Sequence, residues 1–428
     1  MKKIWPPQDQ VFWYINREPA ATCHKDMEAD VAIVGGGIAG LACAQAFAGL
    51  KKKVVLLEQY YCGSGASGKS SGFITPDAEL SPTDFSKMYN KQAAKKIWDF
   101  ISSGVDDIRT NITTHKFSCD YLPQNTLVVA NSKSAIKELR EDHETAQELG
   151  YASTLHSVHG LHEILGSKKY FGGLEYPDTF GINGQLYCQA LKKVLQNDGV
   201  KVFEETPVTA IHGHTLETLH AKIKAEFIVI CADHALPSLG FLKKQIYQIQ
   251  TFLLISQHLK KEELHTIFPK KNLMVWDTDL IYNYFRVADN DRLLLGGGSI
   301  RTTYASKEYH NYGPIIKKLT NYFHEKFPTL TIQFEQVWPG IIGVSKDIAP
   351  IAGRDKDKKH IYYIAASAGL PIAAALGRYS AEHLINGRTD LDEYFSPYRS
   401  FPISNTLQTI LGKKISFALS NLFTKYWW

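Results

Sequence analysis

The stretch Asp30-Val31-Ala32-Ile33-Val34-Gly35-Gly36-Gly37-Ile38-Ala39-Gly40 constrains this chain more than any other. An unbroken apolar run marks a strand buried on both faces, and it feeds a glycine-rich turn and then an alanine-rich helix. Gly35, Gly37 and Gly40 have the G-x-G-x-x-G spacing. In such a turn Gly35 permits the tight reversal, Gly37 lets a pyrophosphate approach the backbone, and Gly40 lets helix and strand pack closely. The helix start at Ile38 and Ala39 offers unpaired N–H groups to phosphate. A second apolar run, Lys53–Leu57, ends at Glu58 and Gln59. A carboxylate there is placed to accept the hydroxyls of an adenosine ribose, and it disfavours a 2′-phosphate. The competing reading is a merely structural turn. The strand before, the helix after and the acid at the right distance weigh against it.

The 428 residues allow two domains or one two-lobed unit with ample core. The formal charge of +5 is spread thinly. Lys51-Lys52-Lys53 and Lys413-Lys414 read as solvated faces, so no nucleic-acid partner is expected. The six cysteines lie far apart without a C-x-x-C, which suits a reducing compartment and argues against a zinc ribbon. Met1-Lys2-Lys3 leads into Pro6 and Pro7 with no apolar core of a signal peptide, so a cytoplasmic location is expected. His156, His159 and His162 share a loop with Gly160 and no cysteine, and no metal site is expected.

Periodicity supplies the remaining elements. Ser81-Pro82 opens a helix, with Phe85, Met88, Tyr89, Ala93, Ile97, Trp98 and Ile101 at helical spacing. Gln245–Val287 is rich in Tyr, Ile, Phe and Val and reads as antiparallel sheet. Ile361–Ala365 reads as a strand, followed by a glycine-containing turn and the helix Ile372–Asn386. The expected fold is an α/β Rossmann-type nucleotide domain with an inserted α+β lobe. The first is assembled from residues 1–80, 150–240 and 338–395. The lobe comprises 81–149 and 241–337, and 396–428 form a C-terminal tail.

Gly65-Ala66-Ser67-Gly68-Lys69-Ser70-Ser71-Gly72 follows Glu58 closely. Small residues and hydroxyls let backbone pass near a second phosphate and a flat ring, as an extended FAD requires; the competing reading is a flexible linker. Over nearly its whole length the chain resembles the D-amino-acid-oxidase-like family of FAD-dependent amine oxidoreductases. It is most similar to the gamma-glutamylputrescine oxidase branch. The resemblance rests on the ordered set Asp30–Gly40 with Glu58, Gly65–Gly68, Thr206-Pro207-Val208, Tyr284-Phe285-Arg286, Asp291–Gly297, Trp338-Pro339-Gly340, Asp347–Gly353, Gly369 and Gly377.

The resemblance implies an FAD held by Gly35, Gly37, Ile38, Ala39, Gly40, Glu58, Gln59, Gly65, Ala66, Ser67, Ser70, Ser71, Gly72, Val208, Gly340, Gly369, Leu370, Pro371 and Ile372. It further implies oxidation of an amine or amino-acid C–N bond to an imine by hydride transfer to flavin N5. Oxygen or a quinone would then accept the electrons. The family's covalent anchor positions carry no Cys or His here, so the FAD is expected to be non-covalent. Two departures stand out: Ala366 replaces a usual glycine, and Pro371 fixes φ and removes an N–H.

The candidate substrate residues are Tyr282, Tyr284 and Arg286, placed by alternation on one strand face. Arg286 would clamp a substrate carboxylate, against the reading of an arginine beside ordinary sheet aromatics. Trp276 and Trp338 are either pocket walls or core aromatics. The apolar, basic stretch Leu407–Trp428 would dock on the protein's own surface or on a membrane face. Two further functions stay open: a tRNA-modifying FAD enzyme, and a catalytically silent flavin-binding protein.

Overall fold

The structure, a computed structural model, describes residues 11–13, 19–76, 79–279, 281–298 and 311–426, with the tail's side chains described through Leu419. The first sheet is built on parallel strands. Met27–Val34 lies between Lys222–Ile230 and Val54–Leu57, and Lys201–Phe203 follows Val54–Leu57. Ile361–Ala365 pairs in parallel with the C-terminal half of Lys222–Ile230. The N-terminal half of that strand instead takes the hairpin Ala210–His212 and Thr215–Glu217. Val34 pairs with Leu57 on one side and Ile230 on the other, so these strands end together at one edge. Loops leaving that edge define the ligand crevice of an open parallel sheet.

Close helix packing places the turns at this edge. A Cβ on Gly377 of the helix Leu370–Asn386 would stand 2.4 Å from the carbonyl of Ala39 in the helix Ile38–Gly49. A Cβ on Gly104 of the helix Lys91–His115 would stand 2.0 Å from the carbonyl of Pro371. The three helices therefore stack backbone to backbone over the sheet, and their apolar faces share one core.

The second sheet runs Phe334–Ser345, Ile246–His258, Arg292–Gly297, Tyr284–Ala288, Leu273–Asp277, Asn125–Val129, Gly173–Tyr176, Thr154–His156. Its pairs are antiparallel except Leu273–Asp277 against Asn125–Val129. Phe285, Val287, Leu293 and Leu295 face a separate core with the helix Gly313–Lys326.

Three sequence expectations change. Thr154–His156 and Gly173–Tyr176 join the second sheet, so the boundary set at residue 150 falls inside that lobe. Helix Lys91–His115 packs with the first lobe's core, because its apolar face meets the two helices beside it. The helix opened by Ser81 is two helices, Pro82–Met88 and Lys91–His115. Asn90 stands extended between them, and its side chain accepts the Ala93 N–H at 2.9 Å.

The tail helix Asn405–Tyr426 is kinked at Gly412 and lies on the protein's own surface. Lys346, fully buried, donates to the Ile403 carbonyl and to Asn405 Oδ1, and the rings of Tyr247 and Phe417 meet at 5.2 Å. No helix among the described residues is long and apolar enough to cross a membrane.

Candidate functional site

The common edge of the parallel strands opens into a cavity of about 740 Å³ that runs on to the second sheet. Gly35 begins it with φ +108°, and a Cβ there would lie 2.5 Å from the Cys231 carbonyl. That conformation and approach both require glycine. Gly35, Gly37, Ile38 and Ala39 line the cavity. Gly40 does not, because it is the helix–strand contact: its Cβ would meet the Gly35 carbonyl at 1.9 Å.

Glu58 is buried at the end of its strand and lines the same cavity. Gly36 N–H donates to its Oε2 at 2.7 Å and Tyr60 N–H to its Oε1 at 2.9 Å. Burial raises its carboxyl above the ordinary 4.5, against the pull of these two backbone bonds. The carboxylate thus shapes the glycine turn and still has lone pairs for a ligand's hydroxyls. Gln59, Thr206, Pro207 and Val208 line the cavity beside it.

Gly65, Ala66, Ser67, Ser70, Ser71 and Gly72 form a further stretch of wall. The short helix Ala66–Lys69 turns Ser67 toward the first helix, where its Oγ accepts the Ile38 N–H at 3.0 Å. Ser70 Oγ closes the loop on the Ser67 carbonyl at 3.0 Å. Gly340 faces this loop, and Trp338 donates its indole N–H to the Lys69 carbonyl at 3.1 Å. Trp338 itself is fully buried against Trp13, so it is core and not wall.

Gly369, Leu370 and Pro371 complete the lining at the start of the helix Leu370–Asn386. Pro371 sits in the first helical turn, where a missing N–H costs nothing. Ala366 holds φ +53°, the left-handed region that the usual glycine would enter freely. Ile372 is fully buried in the helix packing and does not face the cavity.

Asp233 is a residue that sequence reasoning missed. It follows the strand Lys222–Ile230 and lines the cavity, and its Oδ2 accepts the Gly343 N–H at 2.8 Å while Oδ1 accepts the Ala366 N–H at 2.9 Å. It joins the second sheet to the turn before Gly369. The signal was present: Asp233 stands just past a buried parallel strand, as Glu58 does.

Tyr282 and Tyr284 line the cavity with Phe73, Glu79, Thr251 and Trp276. Burial pushes the Tyr284 hydroxyl up to about 12, so it keeps its proton at neutral pH. Arg286 is placed differently from the expected clamp. It shares the strand face of Tyr284 but is only 1% exposed and does not line the cavity. Its Nε donates to Ser71 O at 2.6 Å, and its terminal nitrogens donate to Ile182 O at 2.7 Å and Val287 O at 2.9 Å. Glycines make the room: Cβ atoms on Gly181 and Gly72 would stand 2.5 and 3.0 Å from the guanidinium. Burial lowers its pKa to about 10, and the nearby Asp120 opposes that fall. A desolvated guanidinium is retained where carbonyls satisfy it, and here one of the three, that of Ser71, belongs to the cavity's own loop.

The cavity suits an extended dinucleotide. It joins a ribose-type carboxylate, the helix start at Gly37–Ala39, a small-residue loop and a second helix start. The wall is bare at Gly65, where an added Cβ would meet nothing within 4 Å. Among the described residues no group of His, Cys, Asp and Glu could hold a metal ion.

The profile of a family described as FAD dependent oxidoreductase (DAO) matches residues 30–383. Gamma-glutamylputrescine oxidoreductase of Escherichia coli is 25% identical over 405 residues, which is 91% of this chain and 92% of that protein. The probable oxidoreductase OrdL of Haemophilus influenzae is 24% identical over 370 residues, 83% of each chain. Among solved structures, glycine oxidase from Geobacillus kaustophilus is similar with a TM-score of 0.74 at 19% identity, covering 89% of this chain and 100% of that one.

Proposed function

The chain belongs to the FAD dependent oxidoreductase family, and on that premise we propose that it oxidises the C–N bond of an amine or amino acid to an imine, which water hydrolyses. One observation carries this reading: a single cavity is lined both by the nucleotide signatures and by the aromatic wall Phe73, Trp276, Tyr282 and Tyr284. The amine oxidoreductase named among its relatives supports it. FAD, when bound, supplies the two-electron acceptor for such a reaction, and oxygen or a quinone takes the electrons onward.

In this reading Glu58 accepts the ribose hydroxyls, the N–H groups of Gly37 and Ala39 face the pyrophosphate while Ser67 holds that of Ile38, and Val208 lies against the adenine. Ser67, Ser70 and Gly369–Pro371 border the ring system. FAD is held without a covalent bond, since Ile372–Gly377 carries no cysteine and Gly65–Phe73 no histidine. The protein's part is to orient the amine, to exclude water with its aromatic wall, and to donate the Tyr284 hydroxyl to a substrate acceptor. The position of Pro371 in a first helical turn favours a working site over a silent flavin scaffold.

The test is product analysis. FAD-loaded protein incubated with an amine panel and an artificial electron acceptor should release a carbonyl compound with reduction of the acceptor in equal amount. A protein that binds FAD and yields no carbonyl from any amine would refute the reading.

A further inference from the structure

Resting on the FAD-binding reading of the cavity, we propose that Arg286 tunes the cofactor: its buried charge, set directly behind the lining backbone, favours the reduced flavin. The guanidinium is 1% exposed, yet its three hydrogen-bond partners are the uncharged carbonyls of Ser71, Val287 and Ile182. Among the described residues no carboxylate forms an ion pair with it. The nearby acid, Asp120, is exposed to solvent and accepts from Asn183 Nδ2 at 3.3 Å. Carbonyl oxygens solvate a charge but carry none, and an arginine keeps its proton at any working pH. A full positive charge therefore stays at this point. Holding carbonyls asks only for N–H donors, so the charge is a property beyond the brace.

Ser71 and Gly72 line the cavity, and a Cβ on Gly72 would stand 3.0 Å from Nη2. The lining backbone thus rests on the guanidinium itself. The charge also orients the peptide that joins these two residues. Its oxygen, on Ser71, accepts from Nε at 2.6 Å. The C=O and N–H of a trans peptide point opposite ways, so its N–H, on Gly72, points away from the guanidinium. That N–H reaches Ser70 Oγ at 3.3 Å, and Ser70 is itself on the lining. The peptide dipole turns its positive end toward the Ser70 side of the wall and adds to the field of the guanidinium.

The chemistry gives this field an object. Oxidation of an amine removes a hydride, a proton with two electrons, from the carbon, which becomes the iminium carbon. FAD, when bound, accepts that hydride and gains one negative charge. A fixed cation beside the wall lowers the free energy of the charged product. It acts in a water-poor interior, where charges are weakly screened.

The experiment uses FAD-loaded full-length protein and the variants Arg286→Met, Arg286→Lys and Asp120→Asn. Neither of its two readouts needs an amine. Sulfite adds its sulfur lone pair to an oxidised flavin and brings negative charge to the ring, as a hydride does. Its Kd is read from the bleaching it causes. Dye equilibration gives the two-electron midpoint potential. Arg286→Met should bind sulfite about tenfold more weakly, the effect of one unit charge lost from a weakly screened site. A tenfold fall in the reduction equilibrium lowers the potential by about 30 mV. Arg286→Lys keeps the charge without the fork and should stay within about threefold of the parent, even where it lowers stability. Asp120→Asn should bind sulfite about twofold more tightly, a smaller effect because solvent screens that carboxylate.

Arg286→Met with the parent's sulfite affinity and potential would overturn the proposal. So would Arg286→Lys shifted as far as Arg286→Met, the pattern of a merely structural brace. If neither Arg286 variant retains FAD, Asp120→Asn decides: tighter sulfite supports the role of the charge, and unchanged or weaker sulfite overturns it. If the charge shifts both readouts but no amine bleaches the flavin, the tuning stands and the amine-oxidising function falls.

Discussion

The Nε of Arg286 donates to the carbonyl of Ser71 at 2.6 Å, a bond between a strand of the second sheet and a loop of the nucleotide cavity. With the bond to Ile182, it makes the guanidinium a post under the wall where ring and substrate are expected to meet.

Arg286→Met should therefore act on stability and flavin content. It strands buried carbonyls at Ser71 and Ile182, at a cost of about 3 kcal/mol. Thermal unfolding and the flavin-to-protein ratio read both effects. Arg286→Lys should recover part, because an ammonium cannot reach three carbonyls through a planar fork. Normal melting and full flavin, with only a weakened response to carboxylate substrates, would restore the clamp.

Glu58→Ala should lose about 1.5–3 kcal/mol of FAD affinity by calorimetry, the scale of a charged hydrogen bond. A pH dependence follows from burial, which raises this carboxyl above 4.5. An acid raised on folding contributes stability that is full below its unfolded value and lost as pH rises through the folded one. The stability of FAD-free protein relative to Glu58→Gln should therefore fall as pH is raised from about 4 upward. A flat difference would show that the bonds from Gly36 and Tyr60 cancel the cost of burial.

Asp233→Ala should strand the N–H groups of Gly343 and Ala366 at the junction of the two lobes. A loss of about 2–4 kcal/mol in unfolding free energy is expected, with weakened FAD retention on gel filtration. Asp233→Asn, whose amide oxygen can accept only one of the two bonds, should fall between. A variant as stable as the parent would remove Asp233 from the site's architecture.

Much of this was legible in the sequence because close backbone approach demands glycine. Gly35, Gly37, Glu58 and the loop 65–72 carry the expectation of a nucleotide crevice by type and spacing alone, and all of them but Gly68 line one cavity. Arg286 was misplaced because alternation gives the strand face but not what lies beyond it. Tyr284 meets open cavity and Arg286 meets the underside of Ser71 and Gly72. The lobe boundary was misplaced because Thr154–His156 and Gly173–Tyr176 are short, and only their pairing with Asn125–Val129 reveals their sheet. Glu79 carries no motif; its partner Tyr282 lies 203 positions away.

FAD should leave the protein on denaturation. Of the free cysteines, Cys231 lines the cavity, but its thiol is bonded toward Cys43 and shifted well above its ordinary range by that contact and by burial. A thiol in that state is a poor nucleophile toward a flavin. Acid precipitation should release yellow supernatant, and colour held in the washed pellet would establish a covalent link.

The most direct measurement of amine oxidation is the visible spectrum of FAD-loaded protein mixed anaerobically with amines and amino acids, diamines included. The expected result is bleaching of the flavin bands by at least one amine, with the colour restored on admission of an electron acceptor. A flavin that dithionite bleaches but that stays oxidised through the whole panel would contradict it.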